Sequence, residues 1–142
     1  MLNEIIKGIS MKLNATFGDG YEIYRNNVQQ GLEEPCFFIA VLKPEVTARI
    51  GRRFIKRNPF DIHYFPKDQS DNDEMLSTAE TMMEALDFIS LPNGDILHGT
   101  GISYEIVDGV LHFFVSYNLP MVKTVDPIYM ETLARDVGTR KE

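Results

Sequence analysis

The stretch Gly101–Tyr117, GISYEIVDGVLHFFVSY, decides how the chain is read. Two runs rich in β-branched and aromatic residues flank Asp108-Gly109. A two-residue type I′ turn needs positive φ at both central positions, which Asp-Gly supplies readily. That turn fixes a register in which Val107 faces Val110, Ile106 faces Leu111, Tyr104 faces Phe113 and Ile102 faces Val115. The last three pairs are apolar and share one side, as a core face requires. On the other side Glu105 stands across from His112. The pattern predicts a β-hairpin late in the chain.

Upstream of it, PFDIHYF (59–65) alternates, with Phe60, Ile62 and Tyr64 on one side and Asp61, His63 and Phe65 on the other. CFFIAVL (36–42) is apolar on both sides and reads as a central strand covered on both faces, ended by Pro44. YEIYRNNV (21–28) reads as a short strand and GLEEP (31–35) as a turn. Leu2, Ile5, Ile6, Ile9, Leu13 and Phe17 recur at three- and four-residue steps, the stripe of an amphipathic helix, and Gly18 and Gly20 stop it. A second stripe of Met75, Ala79, Met82, Met83, Leu86 and Ile89 follows Asp71 and Glu74, spaced as a capping box, and LPNGD (91–95) closes it. After Pro120, DPIYMETLARDVG (126–138) predicts a short terminal helix with Asp126 as cap and Pro127 at its first position. The tail 120–142 is read as either a flexible extension or a segment that docks on a neighbouring subunit. Residues 1–142 thus read as one α+β domain, a mainly antiparallel sheet flanked by an N-terminal and a central helix.

Composition is that of an ordinary globular chain, 44% hydrophobic and 25% charged. The longest apolar run is far too short to cross a bilayer, and no secretory leader opens the chain, so no membrane partner is expected. One cysteine, Cys36, excludes an internal disulfide and any paired-cysteine metal knuckle, and its apolar surroundings predict packing rather than reactivity. The net charge is −7, yet Arg49, Arg52, Arg53, Lys56 and Arg57 crowd into nine residues. Without those five cations the rest of the chain falls from −7 to −12. A broad positive face for DNA is therefore missing, because phosphate attraction needs one. A local basic patch suits an acidic surface on another copy of the chain.

Few residues offer catalytic chemistry. Asp61 with His63, and His112 facing Glu105, supply two imidazoles and two carboxylates on strands, a set that could hold iron or zinc and support a small metal-dependent enzyme. Clustered metal-ligand spacings of the HExxH kind are missing, so no metal, cofactor or catalytic residue is assigned. The GTG triplet after His98 lacks the lysine of a phosphate loop, and the serines sit in no GxSxG elbow. The basic segment 49–57, with Phe54 and Ile55 between its cations, supports three readings: a solvated hairpin tip, a contact surface facing a subunit or lumen, or an adaptor surface for nucleic acid or protein.

In combination, GLEEPCFFI (31–39), GRRFIKRNPFDIHYFP (51–66), the Met-rich helix and ISYEIVDGVLHFFVSY (102–117) resemble the small tail terminator proteins of tailed phages and prophages of Gram-positive bacteria. The resemblance runs from the first helix to about Tyr117. It implies an α+β structural protein of the virion tail, made in the host cytoplasm and not an enzyme. It further implies a ring, typically a hexamer, that caps the tail tube, halts its polymerisation and presents the surface joining tail to head. The implied partners are other copies of itself, the tube protein and the head–tail connector, with DNA met only in passage through the lumen. The family brings no catalytic, cofactor or metal residues with it.

Overall fold

Two long strands, paired without interruption through the middle of the molecule, set the architecture. The computed structural model describes residues 2–25 and 32–122. In chain order the elements are α1 (Leu2–Phe17), β1 (Glu22–Tyr24), β2 (Cys36–Val41), β3 (Glu45–Ala48), β4 (Arg53–Arg57), β5 (Pro59–Phe65), α2 (Asn72–Ala85), β6 (Phe88–Ser90), β7 (Ile96–Val107), β8 (Val110–Tyr117) and β9 (Leu119–Val122). Six strands form one sheet in the order β1-β2-β5-β8-β7-β6, and three form a second in the order β3-β4-β9. Every pairing is antiparallel except β1 with β2. This is an α+β fold, as the element pattern predicts.

Both helices pack into one continuous apolar cluster with the large sheet. Ile5, Ile9 and Leu13 come from α1, and Met75, Ala79 and Met82 from α2. They meet Phe37 and Ile39 of β2, Phe60, Ile62 and Tyr64 of β5, and Leu111, Phe113, Val115 and Tyr117 of β8, all essentially without solvent exposure. Burying each such side chain is worth about 1.5–3 kcal/mol, so this face dominates the stability. At the start of α2, Asp71 Oδ1 accepts from the Glu74 N–H at 3.0 Å, which satisfies one orphan donor. Glu74 does not complete the box. Its carboxylate turns to the core side and accepts from Tyr64 Oη at 2.8 Å and Thr78 Oγ1 at 2.7 Å.

Three sequence expectations change. CFFIAVL is not covered on both faces: with both helices in the cluster containing Phe37 and Ile39, Phe38 and Ala40 stay half-buried on the other side. The second helix ends at Ala85, and Ile89 belongs to β6, because Phe88–Ser90 pairs with Ile96–His98 around the LPNGD turn. In the hairpin, Asp108 and Gly109 adopt φ of 52° and 75°, and the pairs Val107–Val110, Ile106–Leu111, Glu105–His112 and Tyr104–Phe113 form as expected. Ile102 does not pair singly with Val115, because a bulge between Thr100 and Ser103 sets Gly101 and Ile102 together opposite it. The candidate helix from Asp126 lies outside the described residues.

Beyond the core, the β5–β8 pairing continues into the second sheet. From Tyr64↔Leu111 through Pro59↔Ser116 and on to Arg53↔Val122, the antiparallel register runs on without a shift. At the junction sits fully buried Asn58, whose Nδ2 donates to the Tyr117 carbonyl at 3.0 Å, while the Tyr117 N–H donates to the Asn58 carbonyl at 3.0 Å. Strands β4 and β9 are thus extensions of the two central strands, and β3 folds back on β4.

At Gly99, β7 comes so close to the end of α2 that an added Cβ would lie 2.8 Å from both the Leu86 carbonyl oxygen and Val115 Cγ2. Gly99→Ala is expected to destabilise the protein by about 1–3 kcal/mol, since overpacking forces backbone to shift. Urea unfolding checks this, and a midpoint equal to wild type would show that the contact relaxes freely.

Candidate functional site

The basic segment forms one side of the β3–β4–β9 arm. Arg49 and Arg52 lie in the β3–β4 turn, where the Arg49 N–H donates to the Arg53 carbonyl at 2.8 Å. Arg53, Lys56 and Arg57 lie on β4, opposite Val122, Leu119 and Glu45 respectively. Arg57 Nε donates weakly to Thr47 Oγ1 at 3.4 Å. Among the described residues, none of these five cations forms an ion pair; the ion pairs present all join histidine to aspartate. The sequence therefore located the cations, and the structure places them together on an extended hairpin.

Apolar side chains accompany them. Ile50 is 94% exposed and Val46 65% exposed, and Ala48, Phe54, Ile55, Pro120, Met121 and Val122 line an open concavity beside Arg49 and Arg53. Sequence reasoning missed the β9 contribution, because it takes the chain from Pro120 onward as a tail. On an edge strand, as here, proline is tolerated. A surface holding unpaired cations and uncovered apolar residues side by side is suited to a protein partner.

The second sequence candidate lies on the open face of the large sheet. One register row crosses four strands: Phe38, His63, His112 and Glu105. Phe38 stacks on His63 at 5.8 Å between centroids, and the rings of His63 and His112 meet edge-on at 4.5 Å. Asp61, two residues before His63, accepts at Oδ2 from His63 Nε2 at 2.9 Å and from His112 Nδ1 at 3.1 Å. Burial by itself would raise the Asp61 carboxyl, but the hydrogen bonds and charge of the two imidazoles outweigh it and hold the group below its ordinary 3.8. His112 thus turns to Asp61 rather than to Glu105, its cross-strand neighbour. Sequence reasoning brought the right four residues into view, and the structure gathers three of them.

A family model described as phage tail terminator protein matches residues 4–128. The chain belongs to the phage tail terminator family. Its match runs from the first turn of α1 through β9 and takes in the whole arm and the open face. Membership makes the protein a structural component of the phage tail with a role in tail assembly. No curated protein matches the sequence.

Cys36 is fully buried on β2, and burial first, then the nearby Glu34 and Glu22 carboxylates, push its thiol from 9.0 up to about 11. Folding therefore favours the neutral thiol, and that preference is lost only as pH rises through 9.0 toward 11. Native protein at pH 8 should alkylate about a hundredfold more slowly than urea-unfolded protein, given the two-unit rise and the burial. Equal rates by mass spectrometry would show that this strand opens freely.

Proposed function

We propose that this tail terminator closes into a ring of six identical subunits on the end of the tail tube. There it halts addition of tube protein and presents a surface to the head–tail connector, with DNA meeting only the ring's lumen. It works by shape and surface rather than by catalysis, within the host cytoplasm while virions assemble. Residues 1–142 act as one unit in that ring.

The observation that carries the proposal is the arm. A closed ring needs two different complementary patches on each subunit, because the contact is head-to-tail. The cationic, apolar-lined β3–β4–β9 sheet is one such patch. The acidic remainder of the chain supplies the other. From Gly99 to Val107, β7 has β8 as its one strand partner among the described residues, and this free edge carries exposed Glu105 and leads to exposed Asp108. Exposed Glu80 of α2 lies beside it, 3.4 Å from Tyr104 Oη. Charges of opposite sign on the two patches would fix orientation and speed encounter more than they would add affinity.

Arg52, Arg53 and Arg57 changed together to Glu should leave the monomer folded, since Arg52 and Arg53 are exposed and Arg57 only half-buried. The triple variant is expected to lose ring formation with purified tube, by mass measurement or electron microscopy. Reversing Glu80 and Glu105 to Lys in the same chain should restore part of it. A triple variant that assembles as wild type does would remove the arm from the interface.

A further inference from the structure

The open sheet face carries a donor set that the assembly role does not use. We propose that Asp61, His63 and His112 form a binding site for one divalent transition-metal ion of the Zn2+ class, tying β5 to β8. Each residue offers one ligand atom, and the three atoms lie within 4.8 Å of one another. The backbone enforces that convergence. Asp61 and His63 are two apart on β5 and so project to the same side, and His112 is the direct cross-strand partner of His63.

The polar arrangement without an ion is lopsided. Both imidazole nitrogens point at Asp61 Oδ2, at 2.9 and 3.1 Å. Asp61 Oδ1 is buried and has no hydrogen-bond partner. Buried polar atoms are normally partnered, so this carboxylate has coordinating capacity to spare, and a cation would take the place of the two hydrogen bonds between the imidazole nitrogens and Oδ2. Two imidazoles and one carboxylate suit zinc or ferrous iron, and three protein ligands leave a coordination position for water. The histidine side chains are 25% and 24% exposed, so an ion can reach them from solvent. Glu105 stands beside His112 in the register but outside this cluster. All three ligands come from one subunit, so the site does not depend on the ring.

The test is calorimetric titration of Zn2+ into tag-free, chelator-treated full-length protein near neutral pH, with Co2+ absorption as a second readout. Wild type should bind one equivalent, gain thermal stability, and give the intense visible band of a low-coordinate Co2+ site. His63→Gln and His112→Gln should each weaken binding by more than the roughly 10–100-fold that loss of an outer-shell partner costs. His98→Gln, at an exposed pair with Asp87, should leave it unchanged. Absence of saturable one-to-one binding by wild type overturns the proposal, and so does unaltered binding by the His63→Gln/His112→Gln double variant. Should the variants misfold, wild-type NMR decides: imidazole signals of His63 and His112 must shift on titration while that of His98 does not, and the reverse pattern refutes the site.

Discussion

The constant register between residues 53–65 and 111–122 is the constraint on which the rest of the molecule depends. Because strand side chains alternate, this one alignment settles three surfaces together. It puts Phe60, Ile62 and Tyr64 beside Leu111, Phe113 and Val115 under the helices. It puts Asp61 and His63 beside His112 on the opposite side. It also carries Arg53, Lys56 and Arg57 outward, because β4 and β9 prolong the same ladder past Asn58. A slip of one residue would expose the core and bury the histidines, so apolar burial enforces the register and the functional surfaces follow from it.

The large sheet is therefore asymmetric. Its helix side is closed by side chains with almost no exposure. Its other side is a half-buried band of Phe38, His63, Phe65, His112 and Phe114, aromatic and basic rather than aliphatic. The arm adds a second kind of surface at the end of the central ribbon, where exposed Ile50 and Val46 sit among cations that have no acidic partner in the described chain. A body bearing strongly negative charge that projects a positive arm has its attraction directed outward, toward another molecule.

Much of this was legible in the sequence wherever the determining interactions are local. Asp108-Gly109 sets its own hairpin through backbone φ, the stripe of Ile5, Ile9 and Leu13 sets α1, and alternation in PFDIHYF sorts core from open face. What stayed hidden depends on distant pairing. Nothing near His112 says that its strand lies beside β5, so Glu105 was the visible partner and Asp61, fifty-one residues away, was the actual one. The bulge at Ile102 sits beside Gly101, whose φ is 63°, and shows only in the pairing of β7 with β8. The apolar residues on both sides of CFFIAVL suggested two covers, whereas both helices chose one side and left Phe38 to stack on His63. The cations were plain to see, but only the shared ladder with β9 turns them from a loop into an arm.

The claim at the centre is that the protruding ribbon is where this terminator grips its neighbour in the tail. Hydrogen exchange of the backbone, compared between isolated protein and protein assembled on tail tubes, tests it most directly. The account predicts new protection concentrated in residues 45–57 and 119–122 together with the free edge of β7. Exchange in those segments that stays as fast as in the isolated chain, while protection grows elsewhere, would contradict it.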